Sequence, residues 1–521
     1  MESLICAVDV GTASARAGLF DRSGYMIVRH VAPFEMSGTL GGIVEMSSEG
    51  VWRAVAAAVS GALADARAGG ETRPVAGLAF DATCSLVLRQ KGGAPLEIGA
   101  NGADTIAWMD HRGTAEAEEI AATGDPALAF AGGSMHPEMQ LPKLLWLKRH
   151  RPLLWDRLGS ARDLVDFLTW RATGSEIRSL CAASAKWGYC PGDGGWPEAL
   201  FARIGLEDLG EAAGLPHHVA PPGTRAGTLT ALAATELGLP IGCPVAVGMV
   251  DAYAGALGLL GRAPDGGRGG HAALIAGTSA CVMSVSAERP DSAGLWGPVE
   301  GAVLPGLWSI EGGQSAAGAL LDWVLETFGP GAADIAAHEA TLARIETLLI
   351  AEGPDLASDI HVLTGGRGRR MPRPGSERRA GIIGLGLGRG ADDAARIYWR
   401  AATALALGMG DVLGEMDAAG EPVRVLHAAG GVRRSPLLMQ LYADATGREV
   451  RPSGAADAVL LGTAMLGASA AGMYPGPGAA AASMGMPAGT PITPRAERAG
   501  RMEADRKAQA RLRSAMRDLG P

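Results

Sequence analysis

The stretch Leu4-Ile5-Cys6-Ala7-Val8-Asp9-Val10-Gly11-Thr12-Ala13-Ser14-Ala15-Arg16-Ala17-Gly18-Leu19-Phe20 decides how the chain is read. Leu4 to Val10 is a short apolar run, Gly11-Thr12-Ala13 is small and turn-forming, and Ala15 to Phe20 resumes an apolar strand. Asp21-Arg22-Ser23-Gly24 then predicts a hairpin turn before Tyr25 to Val28. A similar unit returns about half a chain later: Ala272 to Ala276, the turn Gly277-Thr278-Ser279, and Cys281 to Val285. One such unit per half predicts two related domains facing each other across a cleft.

Outward from these units, helical and strand patterns alternate. Ser48 to Arg67 and Pro142 to Arg149 carry helical periodicity, and Val75 to Asp81 and Val245 to Met249 read as strands, the latter leading to Asp251. Ala391 to Met416 predicts a long helix, Val423 to Ala429 a strand, and Pro436 to Thr446 a helix. The alternation predicts an α/β fold. Glycines at 258–267 suggest a hinge-like boundary, dividing the chain into 1–262, 263–490 and a charged helical tail at 491–521 on the surface.

Composition narrows the function. The 521 residues are 47% hydrophobic and 19% charged, which permits a large core and excludes global disorder. The 46 basic and 55 acidic residues give a net charge of −9, so no general field attracts nucleic acid, and an anionic ligand must be held by local contacts. Six scattered cysteines with no C-x-x-C pair argue against a metal cluster or disulfide framework and for a reducing cytoplasm. The start does not read as a signal peptide, and no run of 18 apolar residues predicts a membrane span.

Two carboxylates have positions suited to phosphoryl transfer, which needs phosphate donors, a charge-neutralising metal and a base. Asp9 ends its strand beside a Gly-Thr turn whose backbone N–H groups can face phosphate oxygens; it can hold Mg²⁺ or merely cap the turn. Asp251 ends an apolar strand and begins a small-residue helix, where it can accept a hydroxyl proton or act as an N-cap. The P-loop pattern G-x-x-x-x-G-K-[ST] is missing from the sequence.

The segments AVDVGTASARAGLFD, FDATCSLV, WMDHR, PKLLWLK, GMVDAYAG, AGTSA, EGGQSAAGALLDW and AGGVRRSPLLMQ occur in an order that resembles the FGGY carbohydrate kinases, from about residue 4 to about 472. The resemblance implies two ribonuclease-H-like (actin/hexokinase-like) domains with an interdomain cleft, a cytoplasmic homodimer, no nucleic-acid or membrane partner, and transfer of the ATP γ-phosphate to a sugar or polyol. It assigns Asp251 as general base and Asp9 to Mg²⁺. Gly11 and Thr12 match the first phosphate motif, Gly277 and Thr278 the second, Gly318 lies close to the terminal phosphates, and Gly430, Gly431 and Ser435 match the adenosine turn. Thr83-Cys84-Ser85, Lys186-Trp187 and Glu311-Gly-Gly-Gln314 resemble the D-ribulose kinases. By that resemblance Asp81, Thr83, Cys84, Lys186 and Glu311 join Asp251 around the sugar. Ribitol, L-ribulose or another polyol is an alternative acceptor, and a catalytically silent sugar or ATP sensor a second reading. The chain departs from the family pattern at Gly368 to Pro372, at Gln140 and at Thr403-Ala404-Leu405.

Overall fold

A computed structural model describes residues 3–38, 42–263, 269–291, 294–329, 331–364 and 380–518. The departure at Gly368 to Pro372 and much of the glycine-rich stretch after Arg262 lie outside them. The chain forms two compact units, and neither is a continuous segment. The first holds Met1–Arg268, Val285–Ile310 and Ala455–Pro487; the second holds Gly269–Ser284, Glu311–Gly454 and Ala488–Pro521.

In the first unit, Leu4–Val10, Ser14–Phe20 and Met26–Pro33 form an antiparallel meander. Val75–Ala82 joins Leu4–Val10 in parallel, and both Pro244–Ala246 and Met249–Val250 pair in parallel with Val75–Ala82. The crossover between the first two parallel strands includes the helix Ser48–Ala68. Ser47 caps it by accepting from the Gly50 N–H at 3.2 Å, and Val51, Val55, Ala58, Val59, Ala62 and Ala66 form its buried stripe. A second sheet runs Met36–Gly38, Val44–Met46, Thr105–Ile106, Leu86–Gln90, Leu158–Asp163.

The expected boundary and tail need correction. Gly258 is inside the helix Asp251–Leu260, packed against the returning helix Ala458–Ala470. A Cβ on Gly258 would lie 2.0 Å from the Ala458 carbonyl oxygen, and one on Gly462 would lie 1.9 Å from that of Ala254. These glycines permit close helix packing, so the part of the proposed hinge that includes Gly258 is a fixed seam. Ala458–Ala470 has buried residues on all sides, which is why residues 455–487 belong with the first unit.

The second unit repeats the opening device: His271–Ala276 pairs antiparallel with Ala280–Ser286 and parallel with Val425–Gly430, which pairs in parallel with Glu449–Pro452. The helix Ala391–Ala418 packs against this unit's other helices. The helix Ala499–Asp518 also belongs to it and is no free surface tail: buried Asp505 receives two N–H bonds from buried Arg400, at 2.6 and 3.0 Å, while Arg400 Nε donates to the Ile360 carbonyl at 2.8 Å.

Candidate active site

Asp9 and Asp81 are direct cross-strand partners at the carboxyl ends of two parallel strands, and Met249 pairs with Asp81 on the other side. Two residues beyond Met249, Asp251 opens its helix. Three carboxylates therefore meet at one edge of the sheet, the edge where open α/β sheets bind ligands. Asp251 is half-buried; the N-cap position belongs to Val250, and Asp251 Oδ1 accepts from the Ala252 N–H at 2.7 Å.

Burial of acids beside one another is costly, and their titration shows it. Burial lifts the Asp9 carboxyl to about 6; Arg16 opposes the rise, while Asp251 and Asp457 add to it. Arg16, the cross-strand partner of Asp9, donates to its Oδ2 at 2.7 Å. Asp81 is pushed well above the ordinary carboxylate range by burial and then by the charge of Asp9. The Thr463 hydroxyl lies against Asp81 Oδ2 and 3.0 Å from the Val459 carbonyl. The Thr463 hydroxyl donates to that Oδ2, a bond that favours the charged form and opposes the rise.

Asp81 was expected at the sugar, yet it is wholly buried with its contacts directed to the acid cluster and Thr463. Thr83 ties the next pieces together: its N–H donates to the Val10 carbonyl at 3.0 Å and its hydroxyl shares a bond with Ser85 at 3.1 Å. The Thr12 hydroxyl accepts from the Trp108 indole at 3.3 Å, and the Gly11 N–H closes its turn on the Ser14 carbonyl at 3.0 Å.

Cys84 and Lys186 share a second neighbourhood. The Cys84 carbonyl accepts from Gln140 Nε2 at 3.0 Å, and the same amide donates to Asp163 Oδ2 at 3.0 Å. The Trp187 indole donates to that oxygen at 2.9 Å. Burial raises the Asp163 carboxyl to about 6 against these bonds and the charges of Lys186 and Lys143. Burial pushes the Cys84 thiol up to about 11, so it is a lining group and no nucleophile at neutral pH. Lys186 is itself buried, with Nζ 4.3 Å from the centre of the Trp296 ring. Buried Lys143 donates to the carbonyls of Ala107, Trp108 and Glu138 at 3.0, 3.3 and 3.4 Å, fixing the loop that carries Trp108.

The second unit gathers most of the expected nucleotide residues. The Gly277 carbonyl accepts from the Gly318 N–H at 3.0 Å and the Thr278 carbonyl from the Ala317 N–H at 2.9 Å, so the turn rests on the start of the helix Gly318–Phe328. A Cβ on Gly318 would lie 2.7 Å from the Gly277 oxygen. Gly430 pairs with Ala276 and has φ +83°, and a Cβ there would lie 2.2 Å from the Ala276 oxygen; only glycine fits. Gly277, Thr278, Gly430 and Gly431 are exposed. The Ser435 hydroxyl is occupied differently, accepting from the Leu438 N–H at 3.2 Å as the cap of Pro436–Thr446. Glu311 is a buried residue of this unit, in the strand Trp308–Gln314.

Family models for the N-terminal and C-terminal domains of the FGGY carbohydrate kinases match residues 4–258 and 272–471. The chain belongs to the FGGY family of carbohydrate kinases. An FGGY carbohydrate kinase domain-containing protein of Xenopus laevis is 37% identical over 90% of this chain and 88% of its own length. A D-ribulokinase of Saccharomyces cerevisiae is 33% identical over 89% of this chain and 71% of its own. A ribulokinase of Geobacillus thermodenitrificans is 30% identical over 90% and 86%. The fold matches a xylulose kinase of Rhodospirillum rubrum with a TM-score of 0.78 at 23% identity, covering 99% of each chain. This FGGY chain has the α/β, two-domain actin/hexokinase-like fold and is an ATP-dependent sugar kinase.

The sequence reading missed Arg16, Trp108, Asp163, Thr463 and Trp296. Arg16 had a readable signal, a charge inside an otherwise apolar strand and seven residues from Asp9. Thr463 and Trp296 had none, because both reach the first unit from late segments of the chain. No group of three His, Cys, Asp or Glu side chains among the described residues forms a ready metal site. The neighbouring carboxylates of Asp9, Asp81 and Asp251 nevertheless suit what Mg²⁺ takes beside nucleotide phosphates: one or two carboxylates, with water and phosphate filling the rest.

Proposed function

We propose that the chain phosphorylates a pentulose, with D-ribulose the preferred acceptor, at a terminal hydroxyl. Asp251 carries the reading: it is a half-buried carboxylate at a helix start, beside two buried acids at the ends of parallel strands. In this reading Asp251 takes the hydroxyl proton as the hydroxyl oxygen attacks the γ-phosphorus and ADP departs. Asp9, held by Arg16, would be the carboxylate that holds the metal, with buried Asp81, raised well above the usual carboxylate range, beside it. Mg²⁺, when bound, neutralises phosphate charge.

Lys186 supplies N–H donors to sugar oxygens, while Cys84 and Thr83 shape the wall. The turns at Gly11-Thr12 and Gly277-Thr278, with Gly318, hold the phosphates; Gly430 and Gly431 flank the adenosine, and Glu311 accepts from the sugar. Kinship with the yeast D-ribulokinase supports the choice of sugar. Six scattered cysteines with no C-x-x-C pair support a reducing compartment, and we assign a homodimer by resemblance, to be checked by light scattering.

The deciding experiment is coupled ADP release over D-ribulose, L-ribulose, D-xylulose, ribitol and glycerol with Mg²⁺-ATP. D-ribulose should give the highest kcat/KM. A higher value for any other acceptor overturns the sugar assignment, and no turnover with any of them, despite ATP binding, overturns the pentulose reading.

A further inference from the structure

Lys186 is one of only five lysines in the chain, and its surroundings are built with unusual care. It stands in the last turn of the helix Leu180–Trp187, which ends at Gly188 in the left-handed conformation. The neighbouring Trp187 is pinned through its indole to Asp163. That fixes the backbone of Lys186 but leaves a four-carbon stem with many rotamers. The ammonium is fixed from another direction, by the Trp296 ring 4.3 Å away.

Trp296 is 3% exposed and starts the strand Trp296–Glu300, which belongs to the first unit although it follows the first strand pair of the second. Its place there is secured on several sides. Gly297 bridges to Ala131, Gly301 packs on Leu180 of the lysine's own helix, and the His136 ring meets the indole edge-on at 5.9 Å between centroids. His136 in turn meets His111 at 5.8 Å. The indole is thus held by its own packing, and the ammonium lies over its face.

We infer that Trp296 is a positioning residue for the acceptor sugar, setting the direction in which the Lys186 ammonium presents its N–H groups. The inference rests on the reading of Lys186 as a sugar ligand. Indole is the strongest of the aromatic partners for a cation, and a desolvated pair of this kind is worth a factor of about 30. A ring face holds the charge through its quadrupole and imposes no single lone-pair direction. Trp296 therefore governs sugar affinity through Lys186.

The test measures KM and kcat for sugar and ATP in Trp296→Ala, Trp296→Leu, Trp296→Phe, Lys186→Met and the double variant Lys186→Met/Trp296→Leu, using the panel sugar with the highest kcat/KM. Melting curves select the folded variants. Trp296→Leu and Trp296→Ala should raise sugar KM by roughly 10- to 30-fold, with ATP KM unchanged and kcat within about threefold. Trp296→Phe, which keeps a ring face, should recover most of the loss. The double variant should be no worse than Lys186→Met alone, because the effect of Trp296 passes through the lysine. If Lys186→Met raises sugar KM while Trp296→Leu does not, the inference falls and the lysine reading stands. If Trp296→Phe is as impaired as Trp296→Leu, or the two losses add, Trp296 acts by shape and the inference falls. If Lys186→Met leaves sugar KM unchanged, the lysine reading itself fails and the inference with it.

Discussion

Asp9→Asn should make the protein more stable at neutral pH while removing its turnover. The Asp9 carboxyl titrates at about 6 in the fold against 3.8 for an ordinary aspartate, with burial as the main cause. A folded pKa above the unfolded value means that ionisation disfavours the fold. The stability of the neutral form is fully present below pH 3.8 and is lost as pH rises through 6. About two pKa units at 1.36 kcal/mol each come to ~3 kcal/mol of destabilisation above pH 7, with about half of it developed at pH 5. Asparagine keeps the shape of the neutral acid and removes that cost. Arg16 loses a partner, but its side chain is 38% exposed and water can solvate it. Melting temperatures of wild type and variant, without nucleotide or metal, should diverge between pH 4 and 7 and run parallel above, with the variant higher. Because Asp81 is coupled to Asp9, the midpoint belongs to the pair. A variant that melts at or below wild type at pH 8, or a gap that does not change with pH, refutes the reasoning.

Asp251→Asn should lower kcat by roughly 10²- to 10⁴-fold with ATP affinity, measured by calorimetry, within a few-fold of wild type; unchanged turnover would remove Asp251 as base. His427, on a buried strand 2.9 Å from His271, has its pKa pressed down to about 4 by burial, with His271 and Arg451 adding to it. A folded value below the unfolded one means that stability is full above pH 6.5 and drains as pH falls toward 4, by up to ~3 kcal/mol; His427→Gln should flatten that part of the melting-pH curve, and an unaltered slope would place the acid sensitivity elsewhere. Gly462→Ala should lower the melting temperature clearly, because the new Cβ meets a backbone oxygen that no rotamer change can move; a neutral result would mean the helix pair separates easily. Asp505→Ala should cost on the order of 3–5 kcal/mol by stranding Arg400 in the interior, read as lost thermal stability.

Much of the fold was legible because local signals agreed. Pro436 to Thr446 forms a helix over the expected residues, since Ser435 supplies a cap, proline suits the first turn, and Gly447 adopts the left-handed stop. The two Gly-Thr turns were legible as turns for the same reason. The strand expected at Val245 to Met249 is instead broken into Pro244–Ala246 and Met249–Val250. Gly248 explains the break: a Cβ there would lie 2.2 Å from the Phe80 oxygen, a close approach invisible in a hydropathy pattern. The return of residues 455–487 to the first unit was also illegible, because the segment's uniform apolarity says that it is buried and not against what. In the candidate site, the residue types that bear charge stood out, while the groups that hold them did not. Thr463 and Trp296 are ordinary in sequence and acquire meaning only from their neighbours, and Gln140 stood out only as a departure from the family pattern, with no sign of its bonds to Cys84 and Asp163.

Of the two readings left open by the sequence at Asp9, turn cap and cation ligand, the geometry of this molecule bears on the first. A capping aspartate shows itself by accepting backbone N–H groups, as Asp21 does from Ser23 at 2.8 Å and Tyr25 at 3.0 Å in the next turn. Asp9 accepts from no backbone N–H among the described residues; its turn is closed by backbone atoms alone, Gly11 to Ser14. A capping carboxylate would be drawn to lower pKa by its donors, whereas Asp9 is displaced upward by burial beside other acids. A buried acid that serves no turn and disfavours the fold at neutral pH would be stabilised by a cation, and phosphoryl transfer brings one with its nucleotide. Asp251 differs from its neighbours: Oδ1 is engaged at its own helix start, and the residue is the least buried of the three, which the proposed role of base requires. The three acids thus differ in burial and partners: Asp81 is fully buried beside Asp9, Asp9 is held by Arg16, and Asp251 is half-buried at its own helix start, and the proposed roles draw on that difference.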